Sequence, residues 1–197
     1  MRGADHERKG GFRLLKYALP PAGEAMASNI EIKARARDFA TQCERAQALA
    51  TDGPLALHQV DTFFPCASGR LKLREFADGS AELIQYVRAD TAELRESRYE
   101  KVAVPEPAVL KRALHNALGE DIVVSKQRTV WFSGRTRIHL DRVEGLGEFI
   151  ELEVVLAEGD GYEDAQREAE ALLEALGVAP EDHLQDAYAD MLRRGVV

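Results

Sequence analysis

The 197-residue chain has only two cysteines, one tryptophan and no long apolar run. Cys43 and Cys66 cannot build a disulfide framework, nor a four-ligand zinc site by themselves, and nothing near the start resembles an export signal; a reducing cytoplasm is the expected setting. No apolar stretch approaches the roughly 20 residues needed to span a bilayer, so no membrane partner is expected. A glycine-rich loop ending in Gly-Lys-Ser/Thr is missing, which excludes a P-loop nucleotide site, and Gly145-Leu146-Gly147 reads as a turn rather than a dinucleotide fingerprint. Excess positive charge is lacking as well. With 26 Lys and Arg against 34 Asp and Glu, the net charge of −8 argues against a nucleic-acid binder held by bulk electrostatics.

What is present is unevenly distributed. Glu158 to Asp190 carries eleven acidic residues and one basic, so the chain before it is neutral overall, with 23 residues of each sign. The size suits one domain, and 45% apolar content is enough for a core. Residues 1–25 have basic residues, Gly10-Gly11 and Pro20-Pro21 but no apolar periodicity, and are expected to be a disordered tail or a start-site extension preceding a domain at 26–197.

Beyond Met26 the pattern alternates between period two and period 3.6. Asn29 to Arg37 reads as a strand. Asp38 is placed to cap a helix with Phe39, Cys43, Ala46 and Leu49 on one stripe, ended by Asp52-Gly53-Pro54. Leu57 to Phe63, Gly69 to Phe76 and Ala81 to Arg88 follow as strands, the last two joined by an Asp78-Gly79 hairpin signal, and Arg98 to Val104 continues the sheet. Pro105 and Pro107 open a helix through Leu118, closed by Gly119. Ile122 to Phe132, Thr136 to Val143 and Glu148 to Leu156 are spaced as antiparallel strands; Tyr162 to Leu176 is a helix, and a short helix runs from Glu181 towards Leu192. About eight strands with three or four helices predict an antiparallel α+β fold able to close into a small barrel.

Residues two apart on a strand share a face, and most of these faces carry charge. One offers Glu31, Lys33, Arg35 and Arg37, another Arg70, Lys72 and Arg74; Arg98 and Glu100, and Lys126 and Arg128, are further pairs; Arg137, His139 and Asp141 share a face, as do Glu151 and Glu153. Any one such strand is also what a solvated face looks like. The set differs: Lys and Arg dominate the middle strands, while carboxylates sit on a first and a last strand that would be neighbours if the sheet closed. That distribution suits a polyphosphate with a divalent metal, because Arg and Lys match phosphate oxygens and Mg²⁺ prefers carboxylates together with substrate phosphates. His58, His115 and His183 read as surface residues, Cys43 as core, Cys66 as a turn residue with nothing nearby to activate it, and Trp131 as packing.

Several ordered motifs recur: Asn29-Ile-Glu31-Ile-Lys33, Asp61-Thr-Phe-Phe64, Arg70-Leu-Lys72-Leu-Arg74, Arg98 with Glu100, Lys126-x-Arg128, and Ile138-His-Leu-Asp141 leading to Gly145-Leu-Gly147-Glu-Phe149-Ile-Glu151-Leu-Glu153. Together they resemble the CYTH or triphosphate tunnel family, which includes class IV adenylate cyclases and thiamine triphosphatases, from Asn29 to about Leu192. The resemblance implies an antiparallel eight-stranded β-barrel, the triphosphate tunnel, with helices packed outside. It implies Glu31, Glu151 and Glu153 as catalytic metal ligands for Mg²⁺ or Mn²⁺. Lys33, Arg70, Lys72, Arg74, Arg98, Lys126, Arg128 and Arg137 would hold the triphosphate, with Asn29, Glu100, His139 and Asp141 supporting them. The family signature begins Glu-x-Glu-x-Lys, whereas this chain has Asn29 first, an amide that brings no charge to the metal.

The layout resembles the bacterial class IV cyclase-like branch, giving ATP to cyclic AMP and pyrophosphate as the first reading. A triphosphatase acting on thiamine triphosphate or inorganic tripolyphosphate is the alternative, and a non-catalytic polyphosphate or nucleotide-binding module a third. The expected partner is a small-molecule triphosphate, with the chain as a monomer or homodimer.

Overall fold

A computed structural model describes residues 28–88, 95–157 and 159–195; the proposed tail at 1–25 lies outside the described residues. Among the described residues the alternating segments form nine strands: β1 (Ser28–Arg35), β2 (Asp52–Phe64), β3 (Arg70–Phe76), β4 (Ala81–Arg88), β5 (Arg95–Ala103), β6 (Ile122–Ser133), β7 (Thr136–Val143), β8 (Gly147–Leu156) and the two-residue β9 (His183–Leu184). Four helices accompany them: α1 (Phe39–Leu49), α2 (Pro107–Leu118), α3 (Tyr162–Leu176) and α4 (Tyr188–Arg194).

One antiparallel sheet contains every strand, in the order β5-β4-β3-β2-β6-β7-β8-β1-β9, and β5 also pairs with β1. The sheet therefore curls until β5 returns beside β1, but it does not close into the complete eight-stranded barrel expected from the sequence. The seam is partial: β5 follows β1 only from Ser28 to Glu31, whereas β8 follows it from Ser28 to Arg35. Beyond the seam, β9 takes the same edge of β1 at Lys33 and Ala34. This is why residues 181–192 do not form the continuous helix their composition suggested. A 3-10 turn at Pro180–Asp182 leads into β9, which satisfies backbone groups on an otherwise open strand edge, and only then does α4 begin.

Local chemistry explains the remaining elements. Asp38 caps α1 by accepting from the Thr41 backbone N–H at 3.1 Å. Asp52-Gly53-Pro54 ends α1 as expected but also opens β2, five residues earlier than the apolar alternation indicated, with a register shift against β6 between Asp52 and Leu55. In the β3–β4 hairpin Gly79 takes φ +85°, and the Asp78 carboxylate accepts from the backbone and hydroxyl of Ser80.

The main hydrophobic core lies outside the curl. Ile138, Leu140, Ile150, Leu152 and Ala34, from the outer faces of β7, β8 and β1, pack against Phe39 and Ala46 of α1 and Leu173 and Leu176 of α3. On the opposite wall α2 covers Phe64 and Leu73 through Leu110 and Leu114. With apolar residues drawn out under the helices, the period of two sends the charged ones inward.

Candidate functional site in the tunnel

The inner face surrounds a cavity of about 830 Å³ reaching from Asn29 to Tyr188. Two groups of ionised side chains face each other across it.

The first, a cation belt, belongs to β2, β3 and β6. Asp61 lies directly across from Arg74 on β3 and Val124 on β6, so cations from both neighbours converge on it. Arg74 grips its carboxylate with two bonds, 2.6 and 2.7 Å; the Lys72 ammonium donates at 2.9 Å and that of Lys126 stands 4.0 Å away. Three cations thus share one anion. Burial alone would raise the Asp61 carboxyl, but Arg74 and Lys72 hold it well below the usual range. The lysines show the opposite strain. Burial and the Arg74 guanidinium lower Lys72 to about 8, and burial with Arg128 and Arg74 lowers Lys126 to about 7.

The second group, a carboxylate arc, belongs to β1, β7 and β8. Glu31 is paired across strands with Glu153, and Lys33 with Glu151. Glu151 accepts from Lys33 at 3.1 Å, Arg128 at 3.0 Å and His139 Nδ1 at 3.2 Å. Glu153 accepts from Arg137 at 3.0 Å and from the Asn29 amide nitrogen. Lys33 also lies 3.4 Å from Glu31. Despite burial, Lys33 and Arg128 keep the Glu151 carboxyl well down, and Arg137 with His139 lowers Glu153. Burial, seconded by Arg128, lowers the His139 imidazole. Arg128 joins the two groups, since it also makes two bonds, 2.7 and 2.6 Å, to buried Asp141.

The two ends of the cavity differ. At one, α4 closes in: the Tyr188 hydroxyl donates to Asp141 at 2.9 Å, and its ring lies under Lys33 at 4.4 Å and packs tilted against Phe149, 5.0 Å between centroids. At the other, beyond the belt along β2, β3 and β6, the lining is largely apolar, with Leu55, Leu57, Phe76, Val130 and Phe132, and Asp78, Ser80 and Glu82 also line the cavity.

Of the residues expected in a site, Asn29, Glu31, Lys33, Lys72, Arg74, Lys126, Arg128, Arg137, His139, Glu151 and Glu153 line this cavity, with Asp141 buried behind Arg128. Arg70 does not. It shares a strand face with Lys72 but sits where β3 begins, and its guanidinium pairs with Asp190 of α4 at 2.6 Å. Glu100 is exposed, because on β5 it is Tyr99 and Lys101 that line the cavity. Arg98 has the same parity as Glu100, and its side chain lies outside the described set. Residue typing missed the role of Asp61, although it stood in a quoted motif, and gave no hint of Gln59 or Tyr188. On β2 the inward row Leu57, Gln59, Asp61, Phe63 mixes apolar and polar residues, so no periodicity marks it. Tyr188 enters from a separate helix.

No group of three or more His, Cys, Asp or Glu among the described residues could hold a metal ion alone. Hard cations, however, commonly take one or two carboxylates and complete their shell with substrate phosphates and water. The Asn29 amide oxygen is buried without a hydrogen-bond partner among the described residues while its nitrogen serves Glu153, so an oxygen donor beside the arc is unspent. Asn29, Glu31 and Glu153 therefore fit a divalent ion shared with a phosphate ligand, whereas Glu151, the other expected ligand, is taken by Lys33, Arg128 and His139.

The fold is thus a helix-backed antiparallel α+β tunnel lined inside by opposed charges. Residues 27–188 match the model of the CYTH domain, and the chain belongs to that family. The family binds triphosphate substrates, and its tunnel enzymes are generally metal-dependent. A search of curated proteins returned no match. Among solved structures the chain is similar to the PH1012 protein of Pyrococcus horikoshii, at 22% identity and TM-score 0.72, covering 82% of this chain and 98% of that one. It is similar to a candidate adenylate cyclase of Vibrio parahaemolyticus, at 19% identity and TM-score 0.67, covering 86% and 99%. It is also similar to HpAC1 of Hippeastrum, a candidate adenylyl cyclase described as having a dominant triphosphatase activity, at 14% identity and TM-score 0.62, covering 87% and 97%. Identities this low speak for the fold alone. No helix among the described residues is long and apolar enough to cross a membrane.

Proposed function

We propose that the chain performs metal-dependent chemistry on an organic triphosphate, as a class IV cyclase-like enzyme converting ATP to cyclic AMP and pyrophosphate. The observation that carries this reading is the meeting of Lys72, Arg74 and Lys126 on the single carboxylate of Asp61, next to an apolar stretch of the same cavity. Three cations short of anions suit phosphates, and the apolar lining suits the organic group attached to them. In that reading Arg74 and Arg128 supply planar forks to phosphate oxygens, and Lys72 and Lys126 act as point charges. Glu31 and Glu153, with Asn29, would hold Mg²⁺ or Mn²⁺, which when bound neutralises charge on the reacting oxygens. The ribose 3′-oxygen would attack the α-phosphorus, give its proton to water and displace pyrophosphate, while the tunnel walls hold the chain of phosphates in line.

A triphosphatase is the second reading, supported by the similarity to HpAC1, a candidate adenylyl cyclase described as having a dominant triphosphatase activity. In it the same cations would present a terminal phosphate to water. Phosphorus NMR with ATP, thiamine triphosphate and tripolyphosphate, in Mg²⁺ and then Mn²⁺, separates the readings. Pyrophosphate with cyclic AMP supports the first and orthophosphate the second; binding without turnover would leave a non-catalytic module. Glu153→Gln should abolish metal-dependent turnover in either enzyme; because it leaves Arg137 without its carboxylate the thermal midpoint should fall, while the secondary structure read by circular dichroism stays that of wild type.

A further inference from the structure

One polar side chain in the cavity has no place in the ion network. Gln59 lies on β2, across from Lys126 on β6 and Phe76 on β3, so it stands at the junction of the cation belt and the apolar lining. It is 4% exposed and lines the cavity, yet its amide oxygen is buried with no hydrogen-bond partner among the described residues. Lys126, its cross-strand neighbour, does not serve it; that ammonium is turned towards Asp61 and the Tyr188 ring. An acceptor left unpaired in this way is costly and is rarely kept without reason.

The nature of the missing partner follows from what the acceptor needs. An ionised phosphate offers oxygens only, so a triphosphate on the belt cannot satisfy it. A divalent ion, which suits the Asn29 oxygen beside the arc, is not favoured here because Asp61, two residues away, is taken by Arg74 and Lys72; what remains is an N–H or O–H on the group attached to the triphosphate. Gln59 is two residues from Asp61 on the same strand face, roughly 6.6–6.8 Å along the strand, which is where that group must begin if the phosphates rest on the belt. The terminal torsion of glutamine is soft, so the amide can turn its oxygen into the cavity. On these grounds we infer that Gln59 is a specificity-determining residue, accepting a hydrogen bond from a sugar hydroxyl or base amine of a nucleoside triphosphate. The inference rests on the organic-triphosphate reading and narrows it to ligands that carry a donor next to the phosphates.

The test compares ATP with inorganic tripolyphosphate, which carries no organic group, binding to the full chain by calorimetry in EDTA so that metal-dependent turnover is stopped. In Gln59→Met, which keeps the side-chain length, ATP affinity should fall roughly fivefold to tenfold while tripolyphosphate affinity stays within about twofold. The ligand-free thermal midpoint should rise, because an unpaired buried acceptor is removed; a purely structural glutamine would lower it. Gln59→Leu provides the same comparison if the methionine variant folds poorly. The wild-type-to-variant ratio should return to one with 2′-deoxy-ATP or 3′-deoxy-ATP if the donor is the corresponding sugar hydroxyl, or with purine riboside triphosphate if it is the base amine. Equal ATP affinity in wild type and variant, or an equal loss for both ligands, would overturn the role given to Gln59. Failure of wild type to bind either ligand, in EDTA and with Mn²⁺ alike, would instead remove the triphosphate reading and this inference with it.

Discussion

The cation belt and the carboxylate arc are built from the same residue types on the same sheet, yet they balance charge differently. In the arc Glu151 has three cationic or imidazole partners and Glu153 is held by Arg137 and Asn29. In the belt a single Asp61 serves Arg74 and Lys72 directly and Lys126 at longer range, and burial with nearby guanidiniums lowers both lysines. The arc is close to self-sufficient, and the belt is short of negative charge. A polyanion completes the belt, and a divalent cation brought with it would compete for the arc's carboxylates.

Removing the one anion of the belt should have the largest effect. Asp61→Asn leaves Arg74, Lys72 and Lys126 buried without a counter-charge, so urea unfolding should show a loss on the order of 3–5 kcal/mol. Added tripolyphosphate should restore part of that stability, and a variant as stable as wild type would show that the belt is not strained.

Arg74→Ala removes the cation that holds Asp61 with two bonds and presents a fork to the cavity. Triphosphate binding should weaken by about 1.5–3 kcal/mol, the range for a charge-assisted bond. The matching change in the arc, Arg137→Ala, should affect metal-dependent turnover more than metal-free binding. Equal effects of the two on binding would dissolve the distinction between the groups.

The pH dependence follows from the lysines. Lys72 at about 8 and Lys126 at about 7 are partly neutral above neutrality, and a bound polyanion favours their charged forms. Binding should therefore take up protons near pH 7–8, and affinity should fall as the pH rises from 7 to 9, by up to roughly tenfold per pH unit for each group. Calorimetry in two buffers of different ionisation enthalpy reads the uptake directly; proton release on binding would place the anion elsewhere.

The smallest effect tests the arc alone. Asn29→Glu sets a carboxylate against Glu153 where an amide now donates, so it should lower metal-free stability by about 1 kcal/mol and tighten Mn²⁺ binding once a triphosphate is present. Unchanged Mn²⁺ affinity would mean that position 29 contributes nothing to the metal.

Much of this architecture was legible in the chain. The period of two in Arg70-Leu-Lys72-Leu-Arg74 and Phe149-Ile-Glu151-Leu-Glu153, the Asp38 cap and the Asp78-Gly79 hairpin are local features, set by alternation and turn chemistry. The ordered motifs also carried the family, which residues 27–188 bear out. Which side of an alternating strand faces the cavity is not local. Tyr99 and Lys101 face it and Glu100 does not, because β5 joins β4 and β1 in one particular register, and a shift of one residue would reverse the choice. Arg70 has the right parity but leaves the site because α4 brings Asp190 beside it. Asp61, Gln59 and Tyr188 acquire their roles from partners 11 to 67 positions away: Lys72 for the first, Lys126 across from the second, Asp141 for the third. The sequence by itself determined the strands, the caps and the charges available. Only the tertiary structure decided which charges meet, because ion pairing and burial depend on distances of a few ångströms between residues that the chain holds far apart.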